Sequence, residues 1–225
     1  MSRSVRRFLR LAFGLLYNQL AWTYDLVSWT VSVGQWRSWQ RATLPYLRGR
    51  RILEVGHGTG NLLLDLASLG FQPVGLDLSA AMGRIAGRKL KRSLASDHLP
   101  LPLVRGRVQE LPFAGNAFTT LVSTFPTEFF VQPAVIAEFY RVLEPGGVFV
   151  CVPGAQITSL GLADRWAAWL FRVTGQSATA WFDPVLERFT VAGFQARLEK
   201  VRQPRGVVIL VVAQKAVQAM GYNAA

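Results

Sequence analysis

Apolar runs separated by glycine- and proline-containing turns organise the middle of the chain into alternating short and long elements. The short runs predict five strands, at about 51–55, 73–77, 103–107, 119–124 and 147–152. Stretches with helical spacing between them predict helices at about 60–69, 79–95 and 133–142. This alternation is typical of an α/β fold with a doubly wound, mostly parallel sheet.

The segments on either side of this core follow other patterns. Residues 3–46 have the spacing of two or three helices, so we predict an N-terminal helical cap over residues 1–50. A domain at 51–225 follows, with a helical, tryptophan-bearing insertion predicted at 155–182 after the fifth strand. The chain then predicts a helix near 184–192 and two strands, at about 194–202 and 206–214.

The first predicted strand runs into a glycine-rich turn, Gly56-His-Gly58-Thr-Gly60. Glycines at a strand-to-helix turn let backbone N–H groups approach a ligand closely, because no Cβ stands in the way. The second predicted strand ends in Asp77, whose carboxylate suits two ribose hydroxyls. The pattern predicts a nucleoside-binding crevice at the carboxyl edge of the sheet.

Two residues argue against a dinucleotide in this crevice. Asn61 stands where the Gly-x-Gly-x-x-Gly pattern has its third glycine. Glu54, just before the loop, would repel a diphosphate but suits a ligand that carries an ammonium and a sulfonium. A nicotinamide-dependent oxidoreductase is therefore an alternative, but a weaker one.

Four motifs in order resemble the class I S-adenosylmethionine-dependent methyltransferases. They are the glycine loop preceded by Glu54, Val74–Met82, Leu111-Pro-Phe113 with Ala117–Ser123, and Phe139–Val152. The resemblance implies an enzyme with a Rossmann-like methyltransferase fold, a seven-stranded sheet and S-adenosylmethionine as cofactor. It also implies a set of cofactor-contacting residues: Glu54, Gly56, Gly58, Gly60, Asp77, Leu78, Gln109 and Ser123.

Within that set the resemblance implies distinct roles. The methionine end of the cofactor would rest on the glycine loop with Glu54 near its amino group, Asp77 would bind the ribose, and Leu78 would flank the adenine. One position departs from many relatives: Arg107 stands where they carry an aspartate that holds the adenine amino group. Arginine offers only donors, so Gln109 or Glu110 are the alternatives there.

The predicted cap carries a finer resemblance, to the ubiquinone/menaquinone C-methyltransferase family. Tyr24-Asp25, Ser32-x-Gly34 and Arg37-x-Trp39 reproduce much of that family's N-terminal signature, whereas Val27-Ser-Trp29 and Trp36 depart from it. The resemblance implies a small, lipophilic methyl acceptor such as a prenylated quinone precursor, a phospholipid amine or another aromatic or isoprenoid metabolite. Whether carbon, nitrogen or oxygen accepts the methyl group stays open.

Methyl transfer from a sulfonium requires alignment of the acceptor and exclusion of water more than activation of the donor. Three residues are candidates for the acceptor's base: Glu128 after the fourth strand, His57 inside the glycine loop and Tyr24 on the cap. Each also has an ordinary alternative. Glu128 could be a solvated loop carboxylate, His57 a side chain bonded to the backbone, and Tyr24 a packing residue.

All seven tryptophans lie outside the predicted nucleotide-binding core, in the cap and in the insertion. In the resembled fold both segments close over the sulfonium, so these side chains could line an apolar acceptor pocket. The alternative is ordinary core packing, because the seven-residue spacing of Trp22, Trp29 and Trp36 would place them on one helix face.

Composition supports a single globular domain, with 51% hydrophobic residues in 225. Cys151 is the only cysteine and lies in a predicted buried strand, so it forms neither an internal disulfide nor a cysteine-based zinc cluster. We predict no metal site and a cytoplasmic protein. The oligomeric state stays open.

The net charge of +12 is concentrated near the N-terminus, where residues 1–51 hold nine arginines and one aspartate. Arginines recur at helical spacing opposite an apolar face in residues 3–16, which is typical of a helix on an anionic membrane surface. The alternative is a helix that packs on its own domain. Neither of the charge-free stretches 11–24 and 26–36 reaches the roughly 20 residues that a membrane span needs.

The basic charge also raises nucleic acid as an acceptor. A cluster in the second predicted helix could contact phosphates or simply face solvent: Arg84, Arg88, Lys89, Lys91 and Arg92. The fourth strand ends in Ser-Thr-Phe-Pro rather than the Asn/Asp-Pro-Pro-Tyr that grips an exocyclic amine, so an RNA methyltransferase is the weaker alternative. A catalytically silent cofactor-binding module is a third, suggested only by Arg107.

Overall fold

The computed structural model describes residues 23–93, 102–157 and 182–217. The helices are α1 (Tyr24–Ser32), α2 (Trp36–Arg41), α3 (Asn61–Ser68), α4 (Ala80–Ser93), α5 (Pro133–Val142) and α6 (Phe182–Val191). The strands are β1 (Arg51–Val55), β2 (Gln72–Asp77), β3 (Leu103–Arg105), β4 (Phe118–Thr124), β5 (Leu143–Ile157), β6 (Phe194–Gln203) and β7 (Gly206–Lys215). Two short 3-10 helices lie at Leu44–Tyr46 and Glu128–Val131.

The strands form one seven-stranded sheet in the order β3-β2-β1-β4-β5-β7-β6. The first five pair in parallel, and β7 pairs antiparallel with both β5 and β6. The predicted α/β fold with a mostly parallel seven-stranded sheet is confirmed. Because β1, β2 and β4 are parallel neighbours, the loops that follow them meet at one carboxyl edge.

Both faces of the sheet are covered, which explains the unbroken apolar runs at 148–152 of β5 and 207–213 of β7. On one face Val148, Val150 and Val152 of β5 pack with α2 of the cap. On the other face Phe149 and Cys151 pack with α5 and α6. Cys151 is fully buried, as the sequence predicts, and burial raises the pKa of its thiol well above the usual value.

Most predicted boundaries lie within two residues of the observed ones, and the strand ends differ most. β5 spans Leu143–Ile157 rather than 147–152, because it pairs with β4 from Leu143 and with β7 as far as Ile157, with a register shift in each pairing. Residues 155–157 are therefore strand and not helix. The rest of the predicted insertion, 158–181, lies outside the described residues. β3 ends at Arg105 rather than 107 because its partner β2 ends at Asp77.

The predicted single helix face for three tryptophans is wrong for the described pair. α1 ends at Ser32, and the turn that follows takes left-handed backbone angles at Val33 (φ 52°) and Gly34 (φ 78°). Trp29 and Trp36 therefore belong to different helices. Trp29 is 62% exposed, whereas Trp36 packs inward on Phe125. Trp22 lies outside the described residues.

Two of the motifs quoted above contact each other through α5. The guanidinium of Arg141 donates to the carbonyl oxygens of Leu111 and Phe113, at 2.9 and 2.7 Å. The Glu138 carboxylate accepts from the Leu111 N–H at 2.7 Å and from the Arg141 guanidinium. The Leu-Pro-Phe motif is thus held against α5.

Candidate active site

The glycine loop takes a conformation that requires its glycines. Gly56, Gly58 and Gly60 all have left-handed backbone angles, with φ of 72°, 54° and 79°. The Gly56 N–H donates to the carbonyl oxygen of Leu76 at 2.7 Å and ties the loop to β2. A Cβ at Gly60 would lie 2.9 Å from the Cβ of Ala86 in α4. The loop therefore allows close approach of α4 to the end of β1.

Asp77 joins the loop to the start of α4. Its Oδ2 accepts from the Gly58 N–H at 2.9 Å, and its Oδ1 accepts from the Ser79 N–H at 2.8 Å. Each carboxylate oxygen keeps a further lone pair, so the group can still accept from two hydroxyls. Leu78, the next residue, is 64% exposed and offers an apolar surface beside it.

Glu54 is a buried carboxyl group, and no described residue beside it supplies a compensating positive charge. Its side chain is 1% exposed, and neither carboxylate oxygen has a hydrogen-bond partner among the described residues. Burial, and then the negative charge of Asp77, raise the pKa of Glu54 well above its usual value. The Leu63 N–H lowers the pKa of Glu54, but it does not form a hydrogen bond with either carboxylate oxygen. Such a group favours a cationic ligand, because a cation would offset both effects.

His57 is enclosed beneath the loop. It is 4% exposed, and its Nδ1 lies 2.8 Å from the carbonyl oxygen of Gly58, so Nδ1 carries the proton and donates. A Cβ at Gly75 of β2 would lie 2.9 Å from its Cδ2, which shows how tightly the ring packs. Burial lowers the pKa of His57, against an opposing effect of Asp77, so burial favours the neutral ring.

The remaining predicted cofactor residues have partners within the protein. The Ser123 hydroxyl donates to the carbonyl oxygen of Val55 at 2.8 Å and ties β4 to β1. The Gln109 amide donates to Gln132 at the start of α5, at 3.1 Å. Arg107 is exposed. Cofactor contacts of Ser123 and Gln109 stay predictions.

An aromatic cluster lies at the carboxyl end of β4. Trp36 stacks on Phe125 with ring centroids 4.0 Å apart, and Tyr24 meets Trp36 edge-on at 6.3 Å. Phe125 has a left-handed φ of 52°, which is uncommon for a bulky residue and concentrates at functional sites. Phe129, from the following 3-10 helix, comes within 4.0 Å of the position that a Cβ at Gly56 would occupy. Aromatic rings therefore border the glycine loop.

Glu128 begins the 3-10 helix that follows β4, so its backbone lies at the same sheet edge. Its side chain lies outside the described residues. The three predicted bases have different surroundings. Tyr24 lies in the aromatic cluster, His57 is buried in the glycine loop, and Glu128 follows β4.

Comparison with known proteins places these features in a family. Residues 53–151 match a family described as "Methyltransferase domain". The chain is 31% identical over 195 residues to the demethylmenaquinone methyltransferase of Symbiobacterium thermophilum, covering 81% of this chain and 72% of that protein. The chain belongs to the S-adenosylmethionine-dependent methyltransferases. Its cofactor is S-adenosylmethionine, and the three left-handed glycines and the unpartnered Glu54 fit a cationic nucleoside.

A further relative agrees with this assignment, and two solved structures share the fold. The ubiquinone/menaquinone biosynthesis C-methyltransferase UbiE of Dinoroseobacter shibae is 31% identical over 164 residues, or 70% of this chain and 65% of that protein. A proposed S-adenosyl-L-methionine-dependent methyltransferase of Methanococcus maripaludis shares the fold, with a TM-score of 0.65, 20% identity and coverage of 89% and 94%. A Haemonchus contortus phosphoethanolamine N-methyltransferase solved with S-adenosylhomocysteine shares the fold with a TM-score of 0.59 and 16% identity. The match covers 81% of this chain and 53% of that chain.

The methyltransferase also contains contacts that the sequence did not predict, and they hold the cap to the core. Arg37 of α2 donates twice to the Asp65 carboxylate of α3, at 3.1 and 2.6 Å. The Gln40 amide donates to the Thr124 hydroxyl at the end of β4, at 3.1 Å. Trp39 of α2 is fully buried against β5. The Arg37-x-Trp39 part of the signature is thus the docking face of the cap.

Asp25 was quoted only as part of that signature, and it too makes contacts that were not predicted. Its carboxylate accepts from Thr59 and Asn61 of the glycine loop and from Lys89 of α4. Lys89 therefore does not simply face solvent, as one alternative for the basic cluster held. The presence of Asn61 in place of a third glycine was the one available signal for this network.

Proposed function

We propose that this methyltransferase methylates a ring carbon of a lipophilic quinone precursor. Three relatives named demethylmenaquinone methyltransferase, which are 31%, 36% and 31% identical to this chain, support the choice of acceptor. The observation that carries the proposal is the aromatic cluster beside the glycine loop, where Trp36 stacks on Phe125 at 4.0 Å. Flat aromatic walls suit a flat, apolar ring, which can stack against them.

The cofactor's position follows from the geometry of the loop. We propose that Glu54 neutralises the positive charge at the methionine end, that Asp77 accepts from the ribose hydroxyls, and that exposed Leu78 lies against the adenine. When bound, S-adenosylmethionine supplies a methyl group already activated for displacement. The protein then has to align the acceptor and exclude water, and the cap provides the surface for both.

A ring carbon becomes nucleophilic when a neighbouring hydroxyl loses its proton. We propose Glu128 as the base that accepts that proton, because it follows β4 at the edge where the loop and the aromatic cluster meet. The ring carbon then forms its bond to the methyl carbon while the bond from that carbon to sulfur breaks, which leaves S-adenosylhomocysteine. The ring carbon afterwards releases its own proton to water, which restores the aromatic ring. Tyr24 is proposed to orient the hydroxyl. His57 is enclosed and already donates to Gly58, so packing is its proposed role.

Transfer of labelled methyl groups tests the acceptor. The purified enzyme is incubated with methyl-labelled S-adenosylmethionine and a reduced, short-chain demethylmenaquinone, with the already methylated menaquinone and bulk RNA as controls. We expect label in the demethylated quinone only. Label in RNA would support the nucleic-acid alternative, and cofactor binding without transfer to any acceptor would support a silent module.

A pair of tryptophan variants tests the aromatic wall. We expect Trp36→His to raise the KM for the quinone about tenfold through loss of stacking area while leaving the affinity for S-adenosylmethionine unchanged. Trp29→His is the matched control when the short-chain quinone is supplied without membranes, because Trp29 is on the same cap but 62% exposed. Equal effects of the two substitutions would contradict the proposed wall.

We propose further that the acceptor is reached from an anionic membrane surface. No described helix is long and apolar enough to cross a membrane. Leu26 and Trp29 of α1, which are 65% and 62% exposed, follow directly after the basic segment at 1–22. Sedimentation with anionic liposomes should require residues 1–20, and unchanged sedimentation after their removal would refute this localisation.

A further inference from the structure

We propose that Asp25 is a positioning residue for methyl transfer, one that fixes the cap helix α1 directly to the cofactor loop. Asp25 lies in the first turn of α1, next to Tyr24. Its Oδ1 accepts from the Thr59 hydroxyl at 2.6 Å and from the Asn61 amide at 3.2 Å. Both donors belong to the segment that runs from the glycine loop into α3.

Lys89 of α4 completes the arrangement from the opposite side. Its Nζ donates to Oδ2 of Asp25 at 2.8 Å and to Oδ1 of Asn61 at 2.6 Å. Asp25, Asn61 and Lys89 therefore form a closed ring of contacts in which three separate segments of the chain meet. We call this ring, with Thr59, the Asp25 network.

The Asp25 network differs from an ordinary surface ion pair. Thr59 is only 4% exposed, and the Lys89 side chain is 23% exposed, although that of Asp25 is 46% exposed. One carboxylate also receives a buried hydroxyl, an amide and an ammonium, so its hydrogen bonds constrain direction as well as charge. Isolated surface pairs lack such neutral donors and contribute little.

The location of the network gives it a functional consequence. Thr59 lies between Gly58 and Gly60, so a shift of α1 is transmitted to the loop on which the cofactor rests. Tyr24 precedes Asp25 and meets Trp36 edge-on at 6.3 Å, so the same contact sets the position of the aromatic cluster. Asp25 thereby holds the cofactor side and the acceptor side of the site in one geometry.

The inference rests on cofactor binding and not on the identity of the acceptor, so it can be tested with S-adenosylmethionine alone. Calorimetric titration of the full chain gives the affinity, and hydrogen exchange of backbone amides gives the order of residues 24–32 and 56–61. The variants are Asp25→Asn, Thr59→Val and Lys89→Met. Arg37→Gln is the matched control, because it removes a charged hydrogen bond from the cap to Asp65 without touching the loop.

We expect Asp25→Asn to weaken S-adenosylmethionine binding about tenfold and to speed amide exchange in both α1 and the loop, since it removes a charged acceptor. Thr59→Val should weaken binding about threefold, and Lys89→Met by less, because Asp25 keeps its two loop donors. Arg37→Gln should speed exchange in α2 but leave binding within about twofold of the wild type.

Two outcomes would overturn the inference. One is an Asp25→Asn variant that binds S-adenosylmethionine as the wild type does. The other is an Arg37→Gln variant that loses as much affinity as Asp25→Asn, since the cause would then be a loosened cap in general. If Asp25→Asn does not fold, Thr59→Val decides, because it keeps the side-chain shape and removes only the hydroxyl. Failure of quinone methylation would leave all these results unaffected.

Discussion

The glycine loop and the cap border the same site but are built in different ways. The loop is a structure of the main chain: left-handed glycines and the bonds of Gly56 and Gly58 to β2 connect residues at most about twenty positions apart. The cap is held by side chains, and its contacts to Asp65, Thr59 and Thr124 join residues 28, 34 and 84 positions apart. Local backbone requirements leave a spacing whose structural cause can be read in a sequence, whereas the cap's signature does not show which residues its side chains contact.

The largest effect should come from the cap's buried anchor. We expect Trp39→Ala to lower the free energy of unfolding by about 3–5 kcal/mol, because the removed indole leaves a cavity against β5. Chemical denaturation measures the change. Trp29→Ala, in the same cap but exposed, should cost less than about 1 kcal/mol. Similar losses for both would mean that the cap is not anchored through Trp39.

A smaller effect is expected from the loop, where two glycines can be compared. Gly60→Ala should lower the free energy of unfolding by about 2–4 kcal/mol. The alanine would have a left-handed backbone, and its Cβ would lie 2.9 Å from that of Ala86. Gly58→Ala should lower the free energy of unfolding by only about 1–2 kcal/mol, the cost of a left-handed backbone for alanine. Among the described residues no heavy atom lies within 4 Å of its Cβ position. Equal costs would show that α4 moves aside.

The smallest effect on stability, and one that depends on pH, is expected at Glu54. Its pKa is raised on folding, so its contribution is fully present below its usual value of 4.5 and is lost as the pH rises through the raised pKa. Glu54→Gln removes this loss. Its melting temperature without ligand should therefore exceed that of the wild type by a margin that widens as the pH rises from 4.5 to the raised pKa.

Cofactor binding provides the control for that measurement. Glu54→Gln should bind S-adenosylmethionine more weakly, because the positive methionine end loses its carboxylate. A variant that is both more stable and a better binder would exclude the proposed role of Glu54. A margin that narrows as the pH rises would mean that the buried carboxylate is neutralised by another group.

The difference between the two regions also explains what the sequence could predict. The mostly parallel seven-stranded sheet, the loop and Asp77 follow from local pattern and from resemblance, and the family was recognised on that basis. The Asp25 network was not predicted, because Lys89 lies 64 positions from Asp25 and resembles any solvated lysine. Phe125 gave no signal either, since nothing in Ser-Thr-Phe-Pro announces a left-handed backbone angle. Asn61 was read only as a missing glycine.

The position of β7 has a consequence for how the chain is made. β7 follows β6 in the sequence, but in the sheet it lies between β5 and β6. During synthesis the five parallel strands therefore leave the ribosome before β7 does. The edge of β5 stays unpaired until residues 206–215 emerge. Unpaired apolar edges recruit other chains. During its synthesis this enzyme should depend on a chaperone that shields β5, and that dependence should end once β7 inserts.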